Sequence, residues 1–194
     1  MKTLIGFFAF FLIVSSFAFT PNPGTTVAKV DLRKSRIVWK ASKVTGSHDG
    51  LVNLKAGSLE FNSKNELTGG MFEVDMTSII CTDLTGDMNG KLVGHLKSDD
   101  FFGVEKFPTS KLVITKVTKQ KGNTYDVTAD LTIKGKTHPV NFTTEISQTT
   151  GKASIKVDRT LYDVRYGSGK FFDNLGDKTI YDNFDLNVEL VYTK

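Results

Sequence analysis

Cysteine is almost missing from this chain. Cys81 is the one thiol in 194 residues, which excludes an intramolecular disulfide and a cysteine-based zinc motif. Proline is scarce, at 4 residues, and glycine stands at 17, so the chain is neither collagen-like nor of low complexity. Charge of one sign is lacking as well. The 25 basic and 21 acidic residues leave +4, spread along the sequence with no basic run, which argues against a nucleic-acid partner. The three histidines, His48, His95 and His138, are too far apart in sequence for the close pair usual in a zinc motif. No Gly-x-Ser-x-Gly, Walker loop, Gly-x-Gly-x-x-Gly or His-Glu-x-x-His is present. Gly167-Ser168-Gly169-Lys170 lacks the first glycine and the final hydroxyl residue of a phosphate loop, and reads as a turn. The expectation is therefore no cofactor, no metal and no catalytic residue. Cys81, following Ile79-Ile80, reads as a core residue.

Long hydrophobic runs are limited to one, Leu4 to Val14, behind the basic start Met1-Lys2-Thr3. It is shorter than the roughly 20 residues that span a bilayer. Ser16-Phe17-Ala18 follows with the small residues a signal peptidase requires. The reading is a signal peptide over 1–18, a mature domain over 19–194, and a periplasmic or secreted location; the alternative is an uncleaved anchor. No following cysteine offers a lipid attachment point, and the mature chain has no stable transmembrane segment.

What remains is dominated by period two. Tyr125, Val127, Ala129, Leu131 and Ile133 alternate with Asp126, Thr128, Asp130 and Thr132, which is a strand with one dry and one wet face. His138, Val140, Phe142, Thr144 and Ile146 form a second such face. Ala153, Ile155 and Val157 form a third, and Phe184, Leu186, Val188, Leu190 and Tyr192 a fourth. Less regular strands fall at about 27–32, 36–44, 50–61, 67–76 and 109–117, with Gly46-Ser47-His48-Asp49-Gly50 read as a turn. Gly57 and the Gly69-Gly70 pair mark bulges or bends. A short helix over Asp87 to Lys97 places Leu92, His95 and Leu96 on one face. About nine strand-like runs in an antiparallel meander close into a barrel or split into a sandwich.

Several blocks resemble a known family. They are Val38-Trp39-Lys40 with Lys43-Val44-Thr45-Gly46-Ser47-His48-Asp49-Gly50, and His95-Leu96-Lys97-Ser98-Asp99-Asp100-Phe101-Phe102 with Lys106-Phe107-Pro108. Leu131 to Val140 forms a third. Val157-Asp158-Arg159, Tyr166-Gly167 and Ile180-Tyr181-Asp182 complete the order. Together they are similar to the YceI-like family of bacterial exported proteins over about 27–192. The resemblance implies an all-β, antiparallel, lipocalin-like β-barrel of about eight strands with a short helical insert. It also implies an apolar tunnel that binds a polyisoprenoid or other long-chain amphiphilic lipid, and no enzymatic role.

On that reading Trp39, Phe72, Leu131, Val140, Phe142, Phe184 and Leu186 form the apolar lining. A head group would meet donors in or beside the irregular segments: Lys43, His48, Arg159, Arg165 and Tyr166. Two other classes stay open. One is an enzyme using the same cavity with His48 or His95 as acid and base. The other is an interaction module whose barrel is filled by its own side chains.

Overall fold

The computed structural model describes residues 24–194; the leader expected over 1–18 lies outside the described residues. Nine strands and one helix follow in the order β1 (Thr26–Val30), β2 (Arg36–Lys43), β3 (Gly46–Phe61), β4 (Leu67–Cys81), α1 (Gly86–Lys97), β5 (Thr109–Lys119), β6 (Thr124–Ile133), β7 (Lys136–Ile146), β8 (Thr150–Asp158) and β9 (Ile180–Thr193). The ladder runs β3-β2-β9-β8-β7-β6-β5-β4 and returns to β3. The sheet is thus a closed antiparallel barrel, and the sandwich is excluded. All its ladders are antiparallel.

β1 does not add a ninth stave. It pairs with β3 through Thr26–Lys29 and with β9 through Lys29–Val30, while β2 pairs with the same two strands further along. The two therefore share one row, interrupted at residues 31–35. Asp31 holds that interruption together, because its carboxylate accepts the Arg33 and Lys34 amides and its carbonyl accepts the Ser35 amide.

The alternation predicted for β6, β7, β8 and β9 arises because one face meets water and the other the barrel interior. Tyr125, Val127, Ala129, Leu131 and Ile133 are all buried, and their even-numbered partners in register on β7, among them Val140, Phe142 and Thr144, share that side. The β6–β7 connection is a two-residue turn with Lys134 at φ 50° and Gly135 at φ 70°, the mirror-image geometry that matches strand twist.

Three boundaries differ from the sequence reading. The turn expected at Gly46 to Gly50 is in fact Val44-Thr45, and His48 sits inside β3 opposite Ala41. β4 continues past Met76 to Cys81 through a bulge at residues 76–79: Asn53 pairs with Asp75, yet Leu51 pairs with Ile80. Ser78 makes the bulge tolerable, its hydroxyl oxygen accepting the Asn53 amide while donating to the Asp75 carbonyl. β9 starts four residues before Phe184, at Ile180.

One end of the barrel is sealed by Phe61 against Tyr192, with ring centroids 5.6 Å apart. Tyr192 is fully buried and its hydroxyl donates to the Ser147 carbonyl. The other end is roofed by α1 and the loop behind it. Leu96, Phe101 and Val104 are buried there, and Leu92, Val93 and Phe102 pack against the same core. Lys97 ties the helix to the bulge by donating to the Thr77 carbonyl. Each fully buried apolar side chain of this kind stabilises the fold by about 1.5–3 kcal/mol relative to leaving it in water. Among the described residues no helix is long and apolar enough to cross a membrane.

Candidate functional site

Inside the barrel lies a cavity of about 160 Å³. Its wall reaches from Ile180 to Leu190 along β9 alone. At about 3.3 Å per residue and a tilt near 40°, that is about 25 Å of barrel height. The space is elongated, and its wall is overwhelmingly hydrocarbon.

The buried polar groups on the wall are already engaged. Ser110 donates to the Met76 sulfur at 3.3 Å, and Thr144 to the Lys152 carbonyl at 2.8 Å. Arg159, 2% exposed, donates Nε to the Tyr181 carbonyl, Nη1 to that of Val164 and Nη2 to that of Ile180, at 3.1, 2.7 and 3.0 Å. Asp182 lies 3.8 Å from the guanidinium, which also sits over the Phe101 ring at 5.6 Å. Burial lowers the Arg159 pKa and the two nearby carboxylates, Asp182 and Asp158, oppose that shift. This side chain works as an internal brace, fastening the irregular segment after β8 to the start of β9.

Of the residues expected to line the interior, Trp39, Phe72, Leu131, Phe142, Phe184 and Leu186 stand on the cavity wall. Val140 is buried beside them without reaching it. The wall also includes Leu96, Phe101, Phe102 and Ile180, which sequence reasoning did not single out. The adjacent Phe101-Phe102 pair behind an apolar helix face was the available signal.

Of the expected head-group donors, only Arg159 touches the cavity. Lys43 is exposed at the end of β2. Arg165 pairs with Asp163 at 2.7 Å and stacks over Phe171 at 4.9 Å. Tyr166 is half exposed and meets the His95 ring edge-on at 4.4 Å. Among the described residues three buried side-chain polar atoms lack a hydrogen-bond partner: His95 Nε2, Tyr162 OH and Asp182 Oδ1. Burial pushes the Tyr162 hydroxyl up to about 12.

His48 has a different environment from the one expected. Its Nδ1 lies 2.8 Å from Asp83 Oδ2, and Cys81 Sγ lies 3.0 Å from Asp83 Oδ1. The pairing of β3 with β4 brings them together: Cys81 stands opposite Gly50, and the Thr82 amide donates to the Asp49 carbonyl. Burial works against ionisation of Asp83. The hydrogen bonds from Cys81, His48 and the Asp49 amide overturn that and hold the carboxyl at about 2. Burial and the adjacent Asp83 carboxylate push the Cys81 thiol up, so it is not an activated nucleophile.

Comparison with known proteins places this architecture. The family model described as YceI-like domain matches residues 29–192. A UPF0312 protein of Photorhabdus laumondii is 46% identical over 52 residues, which is 27% of each chain. The matched stretch thus spans about a quarter of the curated relative's length. Among solved structures, Burkholderia cenocepacia BcnA superposes with TM-score 0.69 at 23% identity, covering 84% of this chain and 99% of that one. A polyisoprenoid binding domain from Saccharophagus degradans superposes at 0.57 with 13% identity, covering 85% and 97%. A Campylobacter jejuni YCEI protein does so at 0.54 with 18% identity, covering 99% and 94%.

Proposed function

This chain belongs to the YceI-like family, and from that premise we propose that it binds a long-chain amphiphile, of polyisoprenoid or fatty-acyl type, in the barrel tunnel. The observation that carries the reading is the wall itself: a long apolar interior whose buried polar groups Ser110, Thr144 and Arg159 are spent on the protein's own atoms. Such a surface recognises hydrocarbon by area and little else. Each methylene buried there contributes about 0.8 kcal/mol before the ligand's ordering cost is met. The polyisoprenoid binding domain of Saccharophagus degradans, with the same fold, supports this class of ligand.

The role is binding, storage or carriage rather than catalysis. Neither His48 nor His95 is on the cavity wall, and the Cys81 thiol is held protonated. The leader expected over 1–18 would place this activity in the cell envelope. The test is mass spectrometry of an organic extract of protein purified from its native host without detergent. The reading expects a long-chain lipid at near one molecule per chain. An extract free of lipid, together with no uptake of a fluorescent prenyl or acyl probe by the delipidated protein, would overturn it.

A further inference from the structure

The rim cluster has donors of three kinds: an imidazole nitrogen, a thiol and a carboxylate. His48 Nδ1, Cys81 Sγ and an Asp83 oxygen all lie within 4.8 Å of one another. We propose that His48, Cys81 and Asp83 form a binding site for one divalent transition-metal ion of the zinc class, with a fourth position open to water or an incoming ligand.

Four observations support the assignment. The donor set is the nitrogen, sulfur and oxygen mixture that zinc accepts, and three protein ligands with one open position is the usual composition of a non-structural zinc site. The charges balance, because a thiolate and a carboxylate neutralise a divalent ion while imidazole stays neutral. That matters where Cys81 is only 6% exposed and an uncompensated charge would be costly. Access is built in as well: the His48 and Asp83 side chains are 32% and 29% exposed, so an ion can enter from solvent. Finally, the scaffold is rigid. Asp83 is anchored by the Asp49 amide at 3.2 Å, and Asn89 of α1 donates to the Cys81 and Leu84 carbonyls on either side.

Two spacings, 2.8 and 3.0 Å, are those of hydrogen bonds. Tetrahedral ligands about 2.0–2.3 Å from zinc stand roughly 3.3–3.6 Å apart. Occupancy therefore requires Asp83 to part from His48 and Cys81 by about half an ångström, within the reach of side-chain rotation for His48 and Asp83. On binding, Cys81 gives its proton to solvent and becomes a thiolate. His48 carries its ring proton on Nε2, leaving Nδ1 to the metal, and Asp83 exchanges the hydrogen bonds to His48 and Cys81 for a metal bond while keeping the one from the Asp49 amide. The site stands at the tunnel's helical end, since His48 is opposite Ala41, a wall residue.

The test uses the full domain, reduced and stripped of metal, titrated first with Co²⁺ and then with Zn²⁺. The expected result is one Co²⁺ per chain, with the thiolate-to-metal charge-transfer band and the intense visible bands of a four-coordinate site, both bleached by stoichiometric Zn²⁺. Cys81→Ser should abolish the charge-transfer band. His48→Ala should weaken Zn²⁺ binding by on the order of tenfold or more, and Zn²⁺ should raise the melting temperature of the parent and not of Cys81→Ser. Circular dichroism of each metal-free variant establishes that it is folded. No charge-transfer band at stoichiometric Co²⁺, or Zn²⁺ binding unchanged in folded Cys81→Ser, would overturn the proposal. The result does not depend on what the tunnel holds.

Discussion

Replacing Phe142 with alanine separates a hollow barrel from a filled one. Phe142 sits mid-strand in β7, opposite Val127 on β6, is half-buried and borders the cavity. Its β8 side has no ladder partner, because β7 and β8 pair only at Thr144–Ile146 with Gly151–Ala153. A phenylalanine packed on all sides costs about 3–5 kcal/mol when cut to alanine. Part of the Phe142 ring already faces empty space or solvent, so fewer contacts are lost and the expected cost is about 1–2 kcal/mol. Phe61 supplies the internal standard: it is fully buried against Tyr192, and Phe61→Ala should show the full about 3–5 kcal/mol. In urea, with a slope of about 2 kcal/mol/M, the midpoints should fall by about 0.5–1 M and about 1.5–2.5 M respectively. Extracted lipid from Phe142→Ala should shift toward bulkier or longer chains. Equal destabilisation by the two substitutions, with no change in bound lipid, would refute the hollow-wall reasoning.

Other positions carry sharper consequences. At Gly50 an added Cβ would lie 1.9 Å from the Ile80 carbonyl oxygen and 2.6 Å from the Trp39 ring. Gly50→Ala should therefore break the β3–β4 ladder locally, lowering the melting temperature and abolishing hydrogen-exchange protection at Leu51. Arg159→Met should cost about 3–5 kcal/mol in denaturant, since it leaves three carbonyls without their donor and removes the charge that faces Asp182. Arg159→Lys should recover only part of that, because an ammonium cannot reproduce the planar fork. At high pH, burial raises the Tyr162 and Tyr192 hydroxyls to about 12. A raised pKa means the folded state holds the proton more tightly, so this stabilisation is complete below the unfolded value near 10 and is lost as pH rises through about 12. Ultraviolet titration should show two tyrosines ionising last, together with unfolding; ionisation of all five near 10 in the folded protein would contradict their burial.

The sequence was most legible where each strand has one wet face. In β6 every second residue is an aspartate or threonine, so the inward set from Tyr125 to Ile133 is unmistakable. It was least legible where local hydrogen bonding breaks the period. Ser47, His48 and Asp49 look like turn residues, yet they belong to β3 because the hairpin needs only Val44-Thr45. The bulge at residues 76–79 hid the end of β4, and with it the meeting of Cys81 and Asp83 with His48. No spacing rule finds donors 33 or more positions apart when the register between their strands slips by several residues. Arg159 was noticed as a charge, but its partners are backbone carbonyls, which leave no trace in residue type.

The shared row of β1 and β2 has a consequence for how the molecule is made. From β2 through β9 each ladder joins strands that follow one another in sequence, apart from the one where Arg36 meets Glu189. The consecutive hairpins can form locally and early, while this seam must wait for almost the whole chain. Until it closes, the folding intermediate is a curled open sheet with two raw edges, β2 and β9, each able to pair with the opposite edge of another molecule. Dilution during folding therefore decides whether those edges find each other or a neighbour.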